Sequence, residues 1–137
     1  MAELTREVLV KADPSTIYEF LIEPGRQSWL GTDVEFDPRP GGVYKVNVGS
    51  DHPALGEFVE VVTDEKVVFT FGWNEPGHPI PAGSTKVAIT LIPEGEETRV
   101  RLVHGGLPED AISDHEKGWQ HFLDRLAIVA TGGVLDD

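Results

Sequence analysis

The chain has 137 residues, the size of one ordinary domain, and is 39% hydrophobic and 8% aromatic, which supplies a core and argues against disorder. Cysteine is absent, which excludes disulfides, thiolate metal sites and cysteine nucleophiles. With 24 acidic residues against 11 basic ones the net charge is −13, and no basic stripe offsets it, so neither nucleic acid nor an anionic membrane surface is an expected partner.

The opening MAELTREVLV has no basic segment followed by a long apolar core, and no stretch approaches 18 apolar residues, so no membrane span is expected and a cytoplasmic location is. Glu3–Lys11 reads as a strand with Val8 and Val10 on one face. Asp13-Pro14 then announces a helix, because Asp accepts from free first-turn amides and Pro suits the first helical position. Ile17, Phe20 and Leu21 give that helix one apolar face, and Pro24-Gly25 ends it. A second short helix is expected over Arg26–Leu30, stopping at Gly31 with Trp29 turned inward.

Strands and turns follow. Asp33–Asp37 is a short strand, and Pro38-Arg39-Pro40-Gly41-Gly42 a rigid turn. Val43–Val48 alternates, placing Tyr44, Val46 and Val48 together. Leu55–Val62 and Lys66–Trp73 form a hairpin through Thr63-Asp64-Glu65, with Val67, Phe69, Phe71 and Trp73 on one face. Asn74–Gly83 holds three prolines and two glycines and reads as a loop. Lys86–Ile92 places Val87, Ile89 and Leu91 inward, and Pro93-Glu94-Gly95-Glu96 turns the chain into Thr98–His104, where Val100, Leu102 and His104 share a face. Prolines are expected between strands, where no ladder hydrogen bond is lost.

From Glu109 to about Ala130, the positions Ile112, Trp119, Phe122, Leu123, Leu126 and Val129 or Ala130 recur at helical spacing, closed by Gly132-Gly133. Ser113-Asp114-His115-Glu116 fits a capping box, an expected restart of the helix. Gly118 costs a helix about 1 kcal/mol relative to Ala, and close approach to the sheet is the expected reason for it. The chain thus reads as one α+β domain over residues 1–137, a curved antiparallel sheet of six or seven strands wrapped around one long C-terminal helix.

Lys11-Ala12-Asp13-Pro14, the Trp29 segment, Pro40-Gly41-Gly42, Phe69-Thr70-Phe71-Gly72-Trp73, His104-Gly105-Gly106-Leu107-Pro108 and Gly118-Trp119-x-x-Phe122-Leu123-x-x-Leu126 stand in an order that resembles the activator of heat-shock protein 90 ATPase-like family. That family lies within the START-like, birch-pollen-allergen-like helix-grip superfamily (SRPBCC). The resemblance implies a helix-grip fold with a cavity between the long helix and the sheet. The superfamily holds lipid carriers, cyclases and chaperone regulators on one scaffold, so the fold does not select among them.

Of the five histidines, none stands at paired zinc-ligand spacing, and neither a metal nor a cofactor is expected. His104 and His115 fall on apolar faces, each read first as a satisfied histidine at a pocket rim and second as a weak candidate for acid–base work. Glu60 is read as solvent-facing although the strand phase around it is ambiguous, and Glu109, Asp110 and Asp114 as anions favoured by a helix N-terminus. No nucleophile elbow is present, and Gly41-Gly42 and Gly105-Gly106 are turns and not phosphate cradles.

The leading expectation is a non-enzymatic module that binds a small, largely apolar ligand, lined by Trp29, Tyr44, Phe69, Phe71, Trp73, Val87, Ile89, Leu102, His104, His115, Trp119 and Phe122. A co-chaperone or other protein-interaction regulator, monomeric or homodimeric, is the alternative from another class. A cyclase- or hydrolase-type enzyme using His104 and His115, joined by a short Gly105–Pro108 turn, is the third.

Overall fold

A computed structural model describes residues 2–49 and 51–135. The chain begins with β1 (Ala2–Val10), then α1 (Pro14–Ile22) and a short 3₁₀ turn at Pro24–Arg26. Six strands follow: β2 (Thr32–Phe36), β3 (Val43–Asn47), β4 (Ala54–Val62), β5 (Lys66–Phe71), β6 (Thr85–Glu94) and β7 (Glu97–Leu107). A 3₁₀ turn at Glu109–Ala111 leads into α2, Ile112–Ala130. The strands form one antiparallel sheet in the order β1-β7-β6-β5-β4-β3-β2. It is curved and unclosed, and α2 lies across it with Trp119, Leu123, Leu126 and Ala130 buried along one stripe. That spacing of four, three and four residues is the stripe a helix of 3.6 residues per turn presents to a sheet.

Asp13 caps α1 as its sequence predicts, its Oδ1 accepting from the Thr16 amide at 2.8 Å. The expected helix over Arg26–Leu30 does not form. The 3₁₀ turn precedes it, and Gln27–Gly31 is a tight turn closed by Leu30 N and Gly31 N onto the Gln27 carbonyl. The reason is local: the buried Gln27 side chain donates from Nε2 to the Phe20 and Glu23 carbonyls, both at 2.8 Å. The Phe20 carbonyl is an orphan of the last turn of α1, and bonding it together with the Glu23 carbonyl holds the chain in the turn. Trp29 does point inward, donating from Nε1 to the Phe20 carbonyl at 2.8 Å.

Two bulges correct the strand reading. Phe58 pairs with Phe69 and Glu60 with Val68, so Val59 is the extra residue, and Phe58 and Val61 both face the core although three positions apart. This resolves the phase at Glu60, which is exposed and pairs with Lys66 at 3.0 Å. Gly105, Gly106 and Leu107 belong to β7 and do not form a turn. Gly106, at φ +82°, is the extra residue where β7 pairs with Ala2 and Glu3, a backbone conformation that side-chain-bearing residues avoid.

Pro93 lies inside β6, against the expectation that prolines stand only between strands. It pairs with Thr98 at a point beyond Thr90, which lies opposite Lys66, the first residue of β5. The Leu91 amide reaches back to the Glu65 carbonyl, and the nitrogen two residues on faces the same unpaired side, so no ladder bond is lost. The capping box at Ser113 does not form either: Ser113 lies within α2, which follows directly on the 3₁₀ turn.

Candidate functional site

The concave face of the sheet divides into a closed part and an open part. In the closed part Tyr44 is sandwiched between Phe36 (ring centroids 4.6 Å) and Phe69 (3.8 Å), with Phe58 edge-on to all three. The rings come from β2, β3, β4 and β5, whose inward positions fall at the same level of the sheet. Burial raises the Tyr44 phenol far above its ordinary pKa. Trp29, Val87, Ile89 and Leu102 are buried in the same core. These residues, with Tyr44 and Phe69, are buried in the core and do not line the pocket described below.

His104 is part of that filled interior. The Trp119 indole can only donate, and its Nε1 lies 3.0 Å from His104 Nδ1, which therefore accepts. The proton must then sit on Nε2, which donates to Thr85 Oγ1 at 2.8 Å, and Thr85 in turn donates to the Phe71 carbonyl at 2.6 Å. One chain of hydrogen bonds thus ties α2 to β7, β6 and β5, and both imidazole nitrogens are engaged. The ring is 0% exposed. Burial, with His115 alongside as a smaller influence, lowers its pKa to about 3 and keeps it neutral. His104 is the satisfied histidine that the sequence suggested, in the core and not at a rim, and it offers no free nitrogen to a substrate.

His115, one ring away at a centroid distance of 5.7 Å, is different. Its Nδ1 donates to the Ala111 carbonyl at 2.9 Å, and its buried Nε2 has no partner. A pocket opens beside this ring. Its apolar lobe, about 220 Å³, is walled by Leu30, Val48, Phe71, Trp73, Trp119 and Phe122, with Asp114, His115 and Gly118 completing it from α2. Gly118 is the residue that shapes it. A Cβ built there meets nothing within 4 Å, so close approach to the sheet is not the reason for this glycine. The missing side chain leaves the floor of the lobe open.

Trp73, Asp114 and His115 also border a wider depression of about 550 Å³, which continues over Asp51, His52, Glu75, His78, Ile80, Asp110 and neighbouring backbone. The loop after β5 builds its far wall. Trp73 N bonds to the Ile80 carbonyl at 2.9 Å, His78 Nδ1 accepts from the Ile80 amide at 2.9 Å, and Asn74 N reaches the Pro53 carbonyl at 3.0 Å. These bonds fold the loop back toward the start of α2. His52 and His78 both turn Nε2 toward the Glu75 carboxylate, at 3.6 and 3.8 Å.

Of the twelve residues expected to line a ligand site, the pocket thus gathers Phe71, Trp73, His115, Trp119 and Phe122. Sequence reasoning missed the contribution of the Asn74–Gly83 loop, which has no periodicity to mark which of its side chains face inward. It also read Asp110 and Asp114 only as helix-terminal anions, although the helix end that favours them forms the lip of the depression. Among the described residues no three His, Asp or Glu side chains are grouped to hold a metal ion, and no helix is long and apolar enough to cross a membrane.

Comparison with known proteins fits this architecture. The sequence model for Activator of Hsp90 ATPase homolog 1-like proteins matches residues 11–131. A solution structure of an AHSA1-like protein from Rhizobium etli is 38% identical with a TM-score of 0.78, covering 99% of this chain and 86% of that one. The Aha1 dimer from Colwellia psychrerythraea superimposes at a TM-score of 0.83 and 20% identity, over 97% of this chain and 98% of that one. An HSP90 activator from Plasmodium falciparum does so at 0.78 and 19% identity, over 94% and 96%. At those identities the last two are likenesses of fold. No curated protein matches the chain significantly. With the family model spanning most of its length, the chain belongs to the Activator of Hsp90 ATPase homolog 1-like family.

Proposed function

We propose that this protein is a non-enzymatic binding module for a small, largely apolar ligand, seated between the first half of α2 and the β3–β5 end of the sheet. The observation that carries the reading is the apolar lobe of about 220 Å³, kept open by Gly118 and walled by aromatic and aliphatic side chains. A dry cavity of about 150 Å³ lined by Leu, Ile and Phe holds a benzene molecule, so a group at least one aromatic ring in size fits here. The engaged, neutral state of His104 favours binding over acid–base chemistry at neutral pH, where a general base needs a pKa near the working pH.

Native mass spectrometry of freshly purified protein, followed by a thermal-shift screen with fatty acids and aromatic metabolites, tests this reading. The expected result is a retained or added ligand that raises the melting temperature of the natural chain and not of Gly118→Leu, whose side chain fills the lobe. Compounds that shift both proteins equally would place the binding elsewhere and overturn the site.

A second reading draws on the relatives: one similar structure is an HSP90 activator and another an Aha1 dimer. The charge of −13 is suited to a basic partner surface. Stimulation of a purified chaperone's ATPase rate, persisting at high salt, is the outcome that would favour it.

A further inference from the structure

Resting on the ligand-binding reading above, we infer that the ligand carries a cationic N–H group at its polar end: the site is built for an amphipathic ammonium or amidinium with a tail about one aromatic ring wide.

The apolar lobe does not end at solvent alone. Past Trp73, Asp114 and His115 it borders the wider depression, whose charged lining is made of carboxylates: Asp51 and Glu75 from the sheet-side loops, Asp110 and Asp114 from the start of α2. No Lys or Arg is among the residues that line either part. A ligand whose tail occupies the lobe therefore places its other end beside carboxylates that approach from opposite walls. An anionic end there meets like charge, a neutral end gains little, and a cationic end is attracted.

The N-terminus of α2 works the other way. Its macrodipole is equivalent to about half a positive charge. Asp110 and Asp114 carry two full negative charges at the same place, so the sign at the lip stays negative. The aromatic wall adds to it, since an indole or phenyl face attracts a cation within about 6 Å of its centre. Trp73 is half-buried between the two parts of the site, where such a face is available to a group passing from one to the other.

His115 supplies an independent pointer. Because its Nδ1 donates to the Ala111 carbonyl, the neutral ring keeps a lone pair on Nε2, buried and without a donor. Buried polar atoms are rarely left so. A hydrogen-bond donor, N–H or O–H, is the partner this atom lacks, which a carboxylate or ether could not supply; the carboxylates of the lip are what favour an ammonium over an alcohol.

The test compares three probes of one size on the full chain: phenylpropylammonium, phenylpropanol and phenylpropionate, measured by calorimetry or by NMR titration at low and high salt. The ammonium is expected to bind about tenfold more tightly than the alcohol, from several exposed charges and one aromatic face acting together. The carboxylate is expected to bind weakest, and the preference to shrink at high salt as exposed charges are screened. Replacing both lip carboxylates, Asp110→Asn with Asp114→Asn, should weaken the ammonium about fivefold more than it weakens the alcohol. Both residues are exposed, so the fold does not depend on them.

Equal affinity for the three probes, with all binding lost in Gly118→Leu, overturns the cation inference and leaves the apolar binding site standing. An ammonium preference that survives the double Asn variant overturns the assignment of that preference to this lip. Failure of all three to bind overturns both readings together.

Discussion

The two aromatic clusters on the concave face are made of the same residue types and end in different states. Around Tyr44, four rings from four adjacent strands stack face to face and edge to face, all of them buried and none bordering the pocket. Around Trp119, the rings of Phe71 and Phe122 lie at 5.8 and 6.3 Å and a pocket remains between helix and sheet. In the first cluster neighbouring strands place their inward side chains at one level of a continuous surface. In the second, one wall is a helix with a glycine where a side chain would close the gap, and another is a loop that folds back from β5. Aromatic content therefore does not distinguish a packed core from a binding wall. The backbone elements that carry the rings do.

The largest expected effect is on the closed side. Phe58→Ala should cost about 3–5 kcal/mol, the range for deleting a large buried aromatic that neighbours cannot replace. Phe122→Ala, from a half-buried ring at the pocket, should cost about 1 kcal/mol, in proportion to the smaller apolar area it loses. Urea denaturation with an unchanged m-value reads both as shifts in midpoint. Equal losses would erase the distinction between the two clusters.

A smaller effect separates the clusters by their polar chemistry. His104 serves the open cluster alone, accepting from Trp119 and tied through Thr85 to the Phe71 carbonyl, whereas the Tyr44 rings pack by ring contact. Its folded-state pKa of about 3 lies below the unfolded value of about 6.5, so its neutral burial contributes fully above about pH 6.5. That contribution falls as pH drops toward 3, at about 1.4 kcal/mol per pH unit while the unfolded chain alone holds the proton. His104→Leu should lower stability at neutral pH by about 1–3 kcal/mol, because the buried Trp119 N–H loses its acceptor. Between about pH 4 and 6 the variant's stability should fall with pH less steeply by up to that same slope. An unchanged slope would assign the acid sensitivity to another group.

The smallest effect sharpens the comparison most. Gly118→Ala should stabilise the protein by about 1 kcal/mol, since the helix gains a better former and the new methyl meets open space. The same substitution should weaken a ligand of the apolar lobe. Thermal melts with and without such a ligand read the two changes together. A destabilised Gly118→Ala would mean that the space beside α2 is not free.

Periodicity and turn chemistry made most of the fold legible. Alternation in β3, β5, β6 and β7 marked the inward faces, Asp13-Pro14 marked the start of α1, and the spacing of Trp119, Leu123 and Leu126 marked the face of α2. Such signals are local, arising from backbone geometry within a few residues. The misreadings fall where a partner outside the element itself decides. The turn after α1 depends on carbonyls that Gln27 satisfies, the bulges at Val59 and Gly106 on pairing with other strands, and the tolerance of Pro93 on where β5 begins.

The site divides in the same way. The sequence by itself determined that aromatic and aliphatic side chains would face an interior shared by the sheet and the long helix, since a face of such residues must be buried somewhere. It also put His104 and His115 close enough along the chain to meet, although Gly105–Leu107 continues β7 and is not the turn the sequence suggests. Only the tertiary structure decided which rings pack solid and which border a pocket, and which histidine is saturated and which keeps a lone pair. Those outcomes depend on the stagger of α2 over the sheet, on the empty volume beside Gly118 and on the return path of the Asn74–Gly83 loop. Space left between elements is a property of their relative placement, and no residue's own chemistry encodes it.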